Sequence, residues 1–143
     1  MDASGWDERY ASVELVWSKG PNTFVVDEVA SLDPGRALDL AGGEGRNAIW
    51  LAQQGWDVEL VEFSKVALDK AARLADHAGV ELTLTHADLL DGPPLRPADL
   101  VLVGDARRDD VRDGAQVLDV GLDDRVEHLV RRQRIVVALV RTE

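Results

Sequence analysis

The chain has 143 residues, 45% of them hydrophobic and 30% charged, which provides for one sizeable core, leaves no room for two, and excludes disorder over most of the length. Its formal net charge of −11 repels phosphate backbones and anionic bilayers, so neither nucleic acid nor a membrane surface is an expected partner. The absence of cysteine excludes disulfides, a thiol nucleophile and cysteine-ligated metal centres.

The opening stretch MDASGWDERY has neither the basic start nor the apolar middle of a signal sequence, and no apolar run approaches the ~18 residues of a membrane span. A cytoplasmic protein is expected. Between Pro21 and Pro34, Val25, Val26, Val29, Ala30 and Leu32 recur at helical spacing, with Asn22 or Thr23 placed to cap and DPG at 33–35 to stop the helix. RALDL (36–40) then reads as a first strand. RNAIWLAQQ (46–54) is a short helix with Ala48, Leu51 and Ala52 on one face, ended by Gly55. DVELVEF (57–63) is a second strand, and Ser64 caps a helix whose Leu68, Ala71, Ala72 and Ala75 form a stripe up to Gly79. VELTLTH (80–86) alternates as a third strand, and ADLVLV (98–103), after the turn DGPPLRP, is a continuous apolar run of the kind buried on both faces. GDARRDDVRDG reads as a charged surface loop, 123–133 as a helix and RIVVALV (134–140) as one more strand. Strands and helices alternating at this spacing predict an α/β fold, a Rossmann-like, doubly wound, mostly parallel sheet of about five strands in a single domain over 1–143.

Gly42, Gly43 and Gly45 fall between the first strand and the helix that follows it. Glycine has no Cβ, so backbone there can approach a ligand closely and adopt positive φ, and a nucleotide-type ligand over the strand's carboxyl end fits that arrangement. Gly43, Gly45 and Ala48 satisfy G-x-G-x-x-A, a weak pattern by itself. Glu62, seventeen residues past Gly45 at the end of the second strand, is placed to accept hydrogen bonds from vicinal ribose hydroxyls, each charge-assisted bond contributing about 1.5–3 kcal/mol. Asp88, at the close of the third strand, can accept from an adenine amino group. The three histidines, His77, His86 and His128, lack metal-ligand spacing, so no metal is expected.

The stretch LDLAGGEGRNAIWLAQQGWDVELVEFSKVALDKA, with HADL and ADLVLV after it, resembles the S-adenosylmethionine-binding half of class I methyltransferases, and in particular the small bacterial tellurite-resistance and thiopurine-methyltransferase group. The likeness covers about residues 6–103 and is most specific over 37–71. It implies S-adenosyl-L-methionine as cofactor, with Asp39 helping to hold its methionine end, Gly43 and Gly45 lying against it, Glu62 on the ribose and Asp88 on the adenine. WDERYASVELVWSKGPN resembles the segment that covers the cofactor in that group, which makes Trp6, Arg9 and Trp17 lid residues and Arg9 a partner for the cofactor carboxylate. The family commonly has cysteine where Gly42 stands, a small-for-small exchange.

On this resemblance the chain divides into a lid and helix (1–35), a cofactor-binding core (36–103) and an atypical segment (104–143). The family continues past Val103 through a PGG-like turn and two further strands, and no such turn follows here. The tail therefore reads as truncated or frame-shifted, the sheet as incomplete against seven strands, and an exposed edge would allow a homodimer. The expected reaction is methyl transfer to a small-molecule acceptor, an in-line displacement that needs alignment rather than a covalent enzyme intermediate. Asp105 is the one acidic candidate near the fourth strand's end for a catalytic base. Two other readings stay open: a cofactor-binding domain without turnover, and an NAD(P)-dependent oxidoreductase that uses G-x-G-x-x-A with Glu62.

Overall fold

The computed structural model describes residues 2–12, 20, 21, 23–40, 42–91, 93, 94, 96, 98–106 and 136–140. In chain order these form α1 (Ala3–Ser12), α2 (Thr23–Val29), β1 (Arg36–Leu40), α3 (Arg46–Gln53), β2 (Asp57–Glu62), α4 (Lys65–Ala78), β3 (Thr83–His86), a single 3₁₀ turn (Leu89–Asp91), β4 (Leu100–Ala106) and β5 (Val136–Val140). The strands order β3-β2-β1-β4-β5, and every pairing is parallel. The sheet is thus wholly parallel, one step beyond the mostly parallel expectation. The chain enters at the centre, winds outward through β2 and β3, and crosses back to β4, which puts a topological switch point between β1 and β4.

Alternation along β1 and β4 sorts the core into two layers. Ala37, Val58, Leu60, Leu100 and Leu102 meet Val25 and Val29 of α2, Ala48 and Leu51 of α3, and Leu68 and Ala71 of α4. Leu38, Leu40, Val61, Val101 and Val103 form the other layer, with Ala87, Leu89 and Ala98 packed against it. The large side chains on both faces are fully buried, each contributing about 1.5–3 kcal/mol, which is why these strands read as apolar runs.

Several boundaries shift for identifiable reasons. β3 starts at Thr83 rather than at 80, because the Val80 N–H bonds the Ala75 carbonyl and the Gly79 N–H bonds the Asp76 carbonyl, so both belong to the end of α4. α2 is shorter than the expected span and closes through the bonds from Ala30 N to Val26 O and from Leu32 N to Val29 O. β4 begins at Leu100 and continues to Ala106, with a register shift against β5 between Val103 and Ala106. β5 begins at Val136. α1 is a helix that the periodicity does not announce. The helix expected at 123–133 lies outside the described residues.

Candidate active site

The site begins where β1 ends. Asp39 faces the layer covered by helices and is fully buried, and neither of its carboxylate oxygens has a partner of hydrogen-bonding geometry. Burial pushes its pKa from an ordinary 3.8 up to about 7, against the opposing pull of the Arg46 guanidinium and the Ala48 N–H. Arg46, the first residue of α3, is itself shifted down by burial, with Asp39 and Glu44 acting in the other direction.

The loop between them is built on glycine for two separate reasons. Gly45 sits at φ 84°, in the left-handed region, and a Cβ on it would come within 3.1 Å of the Ala71 Cβ. Gly42 is held by close approach instead: a Cβ there would lie 2.1 Å from Leu60 Cδ1 and 2.6 Å from Asp39 Cγ. A larger residue at position 42 would therefore require the Leu60 and Asp39 side chains to shift. The Gly45 N–H bonds Gly42 O at 3.1 Å, and the Ile49 N–H bonds Gly45 O at 2.8 Å, so the loop runs straight into α3.

Glu62 closes β2 and is buried, with Oε2 outside any hydrogen bond while the residue makes other polar contact. It lies opposite His86 of β3 in register, and its carbonyl accepts from Ala87 N at 3.1 Å. Asp88 follows, half-buried, its carbonyl accepting from Asp91 N in the 3₁₀ turn. Asp39, Gly43, Gly45, Glu62 and Asp88 thus share one end of the sheet, beside the switch point. Asp105 lies inside β4, which extends past the expected end at 103; its side chain and Trp17 are outside the described residues.

α1 lies against the start of α4. Trp6 and Tyr10 are buried with Ala67, their rings 5.5 Å apart, and the Arg9 guanidinium lies 5.4 Å from the Trp6 ring. Asp7 accepts from the Ser64 hydroxyl and from Val66 N, while Ser64 Oγ accepts from Ala67 N as the helix cap. Trp6 is therefore a packing residue within this helix, and Arg9 sits on its exposed side. Reading the sequence missed Glu44 and Lys70, which form a buried ion pair at 3.3 Å; the position of Lys70 beside the apolar stripe of α4 was the available signal.

A cavity of about 360 Å³ opens at the opposite end of the sheet, lined by residues that include Asp57, Asp76, Glu81 and Leu84, and none of Asp39, Gly43, Gly45, Glu62 and Asp88 borders it. Among the described residues no three acidic or histidine side chains gather as a metal would require, and no helix is long and apolar enough to cross a membrane.

Residues 37–120, more than half of the chain, match the family model described as a methyltransferase domain. The chain belongs to the methyltransferase-domain family. No curated protein matches this methyltransferase-domain chain. Among solved structures it is similar to a protein titled for the conversion of a disulfide bond into a thioacetal group during echinomycin biosynthesis, at 31% identity and a TM-score of 0.55, over 60% of this chain and 36% of that one. It is similar in fold to TehB from Haemophilus influenzae, with 20% identity and a TM-score of 0.56 over 59% of this chain and 29% of that one. A SAM-dependent methyltransferase from Geobacter sulfurreducens, solved with S-adenosyl-L-homocysteine, gives a TM-score of 0.63 at 20% identity, over 90% of this chain and 52% of that one. The methyltransferase-domain chain spans between about a third and half of the length of these three proteins.

Proposed function

We propose that this chain binds S-adenosyl-L-methionine at the carboxyl end of β1, β2 and β3 and takes part in transferring its methyl group to a small-molecule acceptor. The observation that carries the proposal is Asp39: a buried carboxylate with both oxygens outside any hydrogen bond, beside a glycine loop at the switch point of a parallel sheet. Carboxyl groups without partners fit a ligand that presents donors, and this cofactor presents an ammonium group, two ribose hydroxyls and an adenine amino group. The cofactor, when bound, supplies a methyl group on a cationic sulfur.

The chain's own residues have distinct tasks. Glu62 accepts from the ribose hydroxyls and Asp88 from the adenine amino group. Gly43 and Gly45 let the backbone come close, and Asp39 supplies a carboxyl group beneath the loop, ionised once the ligand's donors lower its raised pKa. Arg9 and Trp17 belong to the covering segment, and Asp105 is the proposed base toward the acceptor. Residues 1–143 are proposed as one domain, divided at 35 and 103, of the tellurite-resistance and thiopurine-methyltransferase type. In favour of that subgroup stands the resemblance over 6–22 and 37–71. A small acceptor rather than nucleic acid follows from the net charge of −11.

Calorimetric titration with S-adenosylmethionine and S-adenosylhomocysteine tests the proposal. Micromolar binding to the wild type, weakened about tenfold or more in Glu62→Ala, is the expected result, at roughly 1.4 kcal/mol per decade. Equal affinity in the variant removes Glu62 from the site, and no binding by the wild type overturns the cofactor.

A further inference from the structure

Lys70 is a buried lysine on the face of α4 that is otherwise apolar, and its ammonium group contacts two different parts of the molecule. It pairs with Glu44 Oε2 at 3.3 Å, and it donates to the carbonyl oxygen of Tyr10 in α1. The Tyr10 ring lies 6.0 Å away, close enough to add a cation–π contribution. Glu44 stands between two glycines of positive φ, Gly43 at 60° and Gly45 at 84°, so its side chain is the one anchor that the middle of the loop offers. Taking both charges out of water is unfavourable unless each partner is held in place, and removal of either takes a buried counter-charge from the other.

We propose that Lys70 is a positioning residue that couples occupancy of the glycine loop to the docking of α1, so that an S-adenosyl nucleoside is bound tightly only while α1 is seated. The coupling rests on the cofactor assignment above, whereas the clamp itself does not. Through Glu44 the lysine fixes the loop against which the cofactor would lie, and through the Tyr10 carbonyl it fixes the last turn of α1. Asp7 with Ser64 holds the middle of the same helix to α4 and makes no contact with the loop, so Lys70 is the polar link between the two among the described contacts.

Two measurements on the full chain test this. The first is hydrogen exchange of the α1 amides in the protein without added ligand. Lys70→Met is expected to raise their exchange at least about tenfold relative to the interior of α4, and unchanged exchange overturns the clamp. The second is calorimetry with S-adenosylhomocysteine on Lys70→Met, Glu44→Gln, the double variant and Lys70→Arg. Each of the first two should lose about tenfold or more in affinity, the double variant no more than either, and Lys70→Arg should recover most of the loss. Losses that multiply, or affinities equal to wild type, overturn the coupling. If Lys70→Met does not fold, Lys70→Gln carries the exchange test and Glu44→Gln, which keeps the side-chain shape, carries the affinity test. A wild type that binds no S-adenosylhomocysteine overturns the cofactor assignment and the coupling, while the exchange data still decide the clamp.

Discussion

In the amino-terminal half of the sheet, the Arg36 guanidinium reaches Glu59 at 3.0 Å and Asp57 at 3.8 Å. The second oxygen of Glu59 accepts from Thr85, and the Arg36 backbone exchanges hydrogen bonds with Asp99 in both directions. At the carboxyl end of the same strands Asp39 is deeper than any of these groups and has no such bond. The chain can evidently satisfy charged groups inside this sheet, since it does so within two or three residues of Asp39 along β1. A carboxylate left unsatisfied by the same architecture is a cost in folding that a ligand with donors would remove. One half of the sheet closes its charged groups on one another, and the other leaves the Asp39 oxygens without such bonds.

The sharpest way to break that contrast is Asp39→Asn. The folded protein holds the Asp39 proton up to about pH 7, while the unfolded chain releases it near 3.8, so wild-type stability declines as pH rises through that window and is level above it. The variant escapes the decline. Its advantage should be absent near pH 4, grow to on the order of 4 kcal/mol at pH 8, and be visible as a higher melting temperature by calorimetry. A variant less stable than wild type at pH 8 would show that Asp39 is satisfied after all. Arg36→Met should do the reverse at the other end: a loss of about 1–3 kcal/mol in urea titration, because Glu59 keeps only Thr85, with cofactor affinity unchanged. Any loss of affinity there would mean that the two halves are not separate. Gly45→Ala should cost about 1–2 kcal/mol in the same titration, from the left-handed backbone and the approach to Ala71. The smallest effect belongs to Lys65→Met, which removes an exposed pair with Asp69 one turn away on α4. At most about 0.5 kcal/mol is expected, and a larger change would make surface charge, rather than burial, the variable that matters.

The elements that could be read from sequence are those whose signals are local. Ser64 and Gly79 bracket α4, Gly55 ends the turn after α3, and β1, β2 and α3 fall within a residue of where periodicity places them. α1 escaped because just two of its residues, Trp6 and Tyr10, are buried, too few for a stripe, and its remaining contacts are polar and lie some sixty residues away. For the same reason Glu44 and Lys70 look like ordinary surface charges in one dimension. The positions of Asp39, Glu62 and Asp88 were legible because they lie at or beside strand ends, which a sequence marks. The distinction between Gly42, kept small by Leu60 and Asp39, and a freely exchangeable small residue depends on contacts across the sheet, which it does not mark.

The link from Asp7 to the cap of α4 also orders events during synthesis. α1 precedes β1, α3 and β2 in the chain, yet the residues that bury Trp6 and Tyr10 and donate to the acceptors of α1, Ser64 through Lys70, are made after those elements. A contact of such long sequence separation forms late, once the intervening loop has closed. Until α4 is made, the Trp6 and Tyr10 rings lack the cover that Ala67 gives them, so the docking of α1 waits on an element made after two strands and a helix.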